Sequence, residues 1–181
     1  MEPLERVKLR LDVVALVLTL IGGVVGAGFT VYEFYKGREL ERTKESMEMV
    51  SRISSDSPVQ KSMEKLNLVV GPMASSLFEQ MKSRSDPGSL ESSLLKLIDE
   101  QKLMNDIDIV TAYAEEAAIC GCQNVCDLDL VQRFLGESLG AVFSVVGPYV
   151  MRVRTTTGRS RFGLALEAFA KENVRGYYCN R

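Results

Sequence analysis

The sequence predicts an all-α protein in which an N-terminal transmembrane helix continues into a stalk and then into a small helical bundle. Three observations carry this. Val13 to Tyr32 is a run of 20 residues without a charge, which at about 1.5 Å rise per residue is enough helix to cross a hydrocarbon core of roughly 30 Å. From Val59 onward, apolar residues recur at steps of three and four, the period of a helix with one buried face. With 46% hydrophobic and 25% charged residues in a chain of 181, the composition is that of one folded domain with an anchor. The expected organisation is a flank at 1–12, a membrane helix at 13–35, a stalk at 36–55 and a bundle at 56–181.

Asp12 and Glu33 close the uncharged run, and Tyr32 and Tyr35 lie where amphipathic rings favour the headgroup level. A secretory signal with small residues at Val25-Gly26-Ala27 is the rival reading. Its flank is poor, because Arg6, Lys8 and Arg10 are matched by Glu2, Glu5 and Asp12, and the apolar run is long for a cleaved signal. Gly22 and Gly26 form a GxxxG pair on a face of small residues, the pattern that lets a second membrane helix approach closely. Lys and Arg are nearly balanced across the span. Arg6, Lys8 and Arg10 precede it, whereas Lys36, Arg38, Arg42 and Lys44 follow it. The sequence leans toward a single pass of the inner (plasma) membrane with the C-terminal domain in the cytoplasm, a lean shared by four cysteines without an evident pairing framework.

Glu33 to Glu48 alternates charge signs as a solvated helical stalk does, and the breaker cluster Ser54-Ser55-Asp56-Ser57-Pro58 ends it. Ser57 is placed to cap a second helix with Pro58 in its first position. Val59, Met63, Leu66, Val70, Met73, Leu77 and Met81 mark its buried face, and Gly71-Pro72 predicts two short helices or one bent one. After a turn at Ser83 to Gly88, Ser89 is expected to cap a helix running to about Cys120, with Leu103, Ile107, Val110, Ala114 and Ala117 inward. Asp127 is expected to cap another, with Leu128, Val131, Leu135, Leu139, Val142 and Val146 as its stripe. The uncharged run Ser138 to Met151 is only 14 residues, which predicts a buried core helix and not a second crossing. Phe162, Leu166 and Phe169 mark a short final helix.

The Tyr-rich basic edge YEFYKGRELER, the central DIVTAYAEEAAICG helix and the ending PYVMRVR together resemble a bacterial family of membrane-anchored helical proteins of unknown function, the DUF4760 group. The resemblance implies the architecture and transfers no catalytic residue.

Zero histidines exclude Ser-His and Cys-His nucleophile pairs, HExxH zinc sites and imidazole proton transfer. A net charge of -2 gives no general affinity for nucleic acid. No glycine-rich phosphate loop lies outside the apolar run, and no cofactor is expected. Cys120, Cys122, Cys126 and Cys179 are the number a tetrahedral zinc site needs, but their spacing is irregular for one, and the alternatives are a redox or disulfide role or buried thiols. Asp106 with Asp108, and Asp127 with Asp129, have the DxD form of a cation site, and read equally as helix-start acids. Glu115 and Glu116 lie mid-helix, where at most one faces inward. Asp86, Glu100 and Lys102 copy a nuclease pattern without its strand framework. Arg152, Arg154, Arg159 and Arg161 form the densest basic patch, suited to anionic headgroups or an acidic partner, or to pairing with Glu115 or Glu116.

The expected function is a non-enzymatic interaction or signalling module on the bilayer, self-associating through the anchor and meeting an unidentified protein partner. The alternatives are a membrane-perturbing effector, a toxin or defence protein that oligomerises through the Gly22 and Gly26 face, and a metal-dependent hydrolase built on the acidic pairs.

Overall fold

The computed structural model describes the backbone of residues 3–54, 56–82 and 87–180, and the side chains of residues 26–53, 56–72 and 92–180. Among the described residues every regular element is helical. In order they are α1 (Pro3–Ser54), α2 (Pro58–Lys82), α3 (Pro87–Glu100), α4 (Met104–Cys122), α5 (Leu128–Thr157), α6 (Leu164–Ala170) and a π-helical turn at Arg175–Cys179. The chain divides into two compact units, Met1–Glu41 and Arg42–Arg181.

Helix α1 is unbroken from Pro3 to Ser54, so the residues expected as span and as stalk belong to one helix. Most of the uncharged run, Gly22 included, lies outside the residues whose side chains are described. Gly26 and Gly28 have open space where a Cβ would stand, and the Thr30 hydroxyl donates to the Gly26 carbonyl at 2.9 Å, so this polar group is satisfied within the helix. Phe29, Tyr32, Phe34 and Tyr35 are all exposed, Phe29 at 63% and Tyr35 at 66%. The Lys36 ammonium stands 5.9 Å from the Tyr32 ring centroid and the Arg38 guanidinium 5.4 Å from that of Phe34.

In the second unit α4 is the central element, touching α2, α5, α6 and the π turn. Ile107, Val110, Ala114 and Ala117 are fully buried, as the period predicts, and α5 buries its expected stripe from Leu128 to Val146 and one turn further to Val150. By length and composition α5 is also a helix able to cross a membrane. Here that apolar stripe packs inside the bundle. Asp127 caps α5 as expected, its carboxylate accepting from the Asp129 and Leu130 amides at 3.0 and 3.2 Å.

The last turns of α1, expected to be solvated stalk, belong to the bundle. Ser46 and Met49 are buried, the Tyr113 hydroxyl donates to the Met49 carbonyl at 2.6 Å, and the Ser46 hydroxyl accepts from the Asp127 amide at 2.7 Å while donating to the Arg42 carbonyl. Burial pushes the Tyr113 hydroxyl well above its ordinary range. Ser57 caps α2 through the Gln60 amide at 3.2 Å, as read from the sequence. Pro72 does not divide α2, so the two-helix alternative fails. Pro72 and Leu68 are both exposed, and the Leu68 carbonyl that the missing N–H leaves free can turn to water.

The helix expected from Ser89 to about Cys120 is two helices, α3 beginning already at Pro87 and α4 following a break at 101–103. Lys102 adopts the left-handed conformation (φ 51°), its amide bonding the Asp99 carbonyl at 3.3 Å while the Leu103 amide bonds the Ile98 carbonyl at 3.0 Å. This is a Schellman stop with Lys where glycine is usual, closed by burial of Ile98 and Leu103. Asn124 after α4 and Glu172 after α6 end their helices with the same pair of bonds. Replacing Lys102 with Gly, which adopts a positive φ freely, is expected to stabilise the fold by about 0.5–1 kcal/mol, read as a higher thermal midpoint. The last helix begins at Leu164, after Phe162, because Gly163 sits at φ 65° against Val150 and breaks the chain direction there.

Candidate functional site

Among the described residues, a dense polar arrangement lies where α5, α6 and the π turn meet, and it centres on a residue that sequence reading passed over. Six of the seven residues of α6 are buried, Glu167 among them. Its carboxylate accepts from Arg154 Nη1 at 2.7 Å, from Lys171 Nζ at 2.6 Å and from the Tyr177 hydroxyl at 2.9 Å. Burial alone would raise the Glu167 pKa, but the hydrogen bonds from Lys171, Arg154 and Tyr177 outweigh it and hold the group at about 2. Lys171 also stands 4.2 Å from the Tyr177 ring centroid. A carboxylate so saturated with donors neither gives up nor takes a proton near neutrality. The cluster is a clasp between α5, α6 and the C-terminal turn.

The four arginines of the basic patch are thereby separated. Arg154 turns inward, its Nε donating to the Phe162 carbonyl at 2.7 Å and its side chain only 14% exposed, so it is not available to an anionic surface. Arg152, Arg159 and Arg161 are exposed. Glu115, Arg159, Ser160, Arg161 and Phe162 line an open depression of about 370 Å³ beside Gly158, whose left-handed backbone caps α5. Burial raises the Glu115 carboxyl, and the Arg161 charge opposes that rise. Glu116 pairs not with this patch but with Arg52 of α1, at 2.6 Å.

The acidic pairs do not converge. Asp106, with a side chain 13% exposed, is held by Lys65 Nζ at 2.6 Å and by the Ser62 hydroxyl at 3.1 Å, so it ties α4 to α2. Asp127 is a cap and Asp129 is exposed in the first turn of α5. Among the described residues no three His, Cys, Asp or Glu side chains gather as a metal site. Asp86 lies outside the described residues, Glu100 pairs along its own helix with Lys96 at 3.6 Å, and Lys102 is the helix stop.

The cysteines correct the reading of buried or incidental thiols and dissolve the weak zinc candidacy. Cys120 bonds Cys126 with Cα atoms 5.2 Å apart, and Cys122 bonds Cys179 at 5.3 Å. All four are consumed and none is left as a thiolate for metal. The Schellman stop at Asn124 turns the chain so that Cys126 faces Cys120, an arrangement CxC and Cx3C spacing alone does not reveal.

No curated protein and no solved structure matches the chain. The model of a domain of unknown function, DUF4760, matches residues 18–172, a span that holds α2 to α6, the inward Arg154 and its Glu167 partner. With most of its length inside that match, the chain belongs to the DUF4760 family.

Proposed function

We propose that the protein is a membrane-anchored helical interaction module, held in the bilayer by the first part of α1 and presenting the bundle to a protein partner. The observation that carries this is the aromatic and basic collar on α1. Four aromatic residues between Phe29 and Tyr35 are exposed on one helix, they straddle the end of the uncharged run from Val13 at Glu33, and Lys36 and Arg38 follow them. A water-soluble helix that exposed such a band would be prone to associate, whereas at a membrane the rings rest at headgroup depth and the cations reach phosphate. Within the bundle, Glu167 and Asp106 hold helices together, Asp127 caps α5 and all four cysteines are paired, whereas Arg152, Arg159 and Arg161 are exposed and can meet an acidic partner.

Alkaline carbonate washing of isolated membranes is expected to leave the full chain in the pellet and to release a chain lacking residues 1–36. A photo-reactive residue at Arg159 is then expected to yield a cross-linked protein adduct that disappears when Arg152 and Arg161 are changed to Glu. Full-length protein in the wash supernatant would remove the anchor from the reading. An adduct indifferent to charge reversal would remove the basic loop.

A further inference from the structure

We infer that the bundle matures in an oxidising compartment, as a four-thiol substrate of a thiol–disulfide oxidoreductase. This is the opposite of the cytoplasmic placement the sequence suggested, and it stands whether or not α1 is retained in the bilayer.

The sequence holds four cysteines and the fold pairs every one of them. Incidental cysteines would leave odd thiols or pairs too far apart, but both pairs have Cα separations inside the narrow range a disulfide tolerates. The bonds also reinforce covalently two segments that the fold otherwise holds by hydrogen bonds and packing. Cys126 is buried, and its link to Cys120 fixes the turn that delivers Asp127 to cap α5. The Arg175–Cys179 turn buries none of its residues, and Cys122 is the covalent tether that keeps it on α4. Glutathione and thioredoxin hold cytosolic thiols reduced, and there this turn would lack its tether. The flanks raise no electrostatic objection, since three Lys or Arg residues precede the uncharged run and four follow within Lys36 to Lys44, a difference too small to fix orientation.

A thiolate of the chain attacks a disulfide of the oxidoreductase, forming a mixed disulfide and releasing one donor thiolate. The second cysteine of the pair displaces the other donor sulfur, and the two protons of the chain's thiols end on the donor dithiol. Each chain thus gives up four electrons and four protons to two donor disulfides.

The test expresses the full chain in a host cell, quenches thiols with acid, and alkylates with a maleimide-polyethylene glycol before or after reduction. The expected result is no added mass before reduction and four adducts after it. Cys122→Ser with Cys179→Ser should give two adducts after reduction, and loss of the host's thiol oxidant should give four adducts without any reduction. Four adducts on wild-type chain in an unimpaired host would overturn the inference. Carbonate fractionation of the same samples separates this from the anchor: an oxidised chain that washes free refutes the anchor alone, and a membrane-bound chain with four free thiols refutes the oxidising compartment alone.

Discussion

Glu167→Gln is expected to destabilise the bundle by about 3–5 kcal/mol, because the amide removes the charge that compensates Arg154 while Arg154 remains buried. Arg154 already has one nitrogen, Nη2, that is buried without a hydrogen bond among the described residues, so the guanidinium has no spare partner to turn to. Changing Arg154 and Glu167 together to Leu should cost much less than the single change, since no uncompensated charge is then left inside. Chemical denaturation of the three variants checks this, and a double variant as unstable as Glu167→Gln would show that the cluster contributes by shape and not by charge. The same carboxylate sets an acid limit. Its folded pKa, about 2, lies below the ordinary value of 4.5, so its contribution is fully present above pH 4.5 and is lost as pH falls toward 2. The difference corresponds to roughly 3 kcal/mol. Glu115 works in the other direction, because a carboxyl raised by burial costs the folded state stability while ionised and relieves that cost on protonation. Glu167→Gln should therefore flatten the fall in stability between pH 4.5 and pH 2.

What the sequence could show and what it could not divide along physical lines. Ser57 and Asp127 were legible as caps because capping is a local exchange between one side chain and an amide two or three residues on. The α5 stripe was legible because a helix buried on one face writes its period into the chain. Helix α6 is buried on nearly every side, so it writes no period, and Glu167 reads there as an ordinary acidic residue. Its principal partner Arg154 is 13 positions away across the Gly158 and Gly163 turns, a meeting that exists only in the folded chain. The stops at Lys102, Asn124 and Glu172 were invisible for a different reason. Two of the three positions carry residues with no preference for the left-handed conformation, and burial of the flanking residues, as with Ile98 and Leu103, supplies the stability that glycine would otherwise give. For residues 13–25 the sequence remains the guide, since their side chains lie outside those described.

The second large effect is expected from the Cys122–Cys179 bond. It joins positions 57 apart, against 6 for Cys120–Cys126, and on the chain-entropy account the longer loop is worth about 4 kcal/mol and the shorter about 2 kcal/mol. Cys122→Ser with Cys179→Ser should accordingly lower stability by about twice as much as the other pair of serines. Amide hydrogen exchange distinguishes how it does so. Because the π turn buries no residue, its amides are expected to lose protection first in that variant, while the α4 and α5 amides keep theirs until global unfolding. Fraying of the turn carries Tyr177 away from Glu167, so the carboxylate keeps only Arg154 and Lys171. The Glu167→Gln change should then cost less in the serine variant than in the intact protein, and strict additivity would mean that tether and clasp act independently. A covalent bond at the end of the chain and an ionised carboxylate in the core are in this way expected to stabilise one another, with the Tyr177 hydroxyl as the link between them.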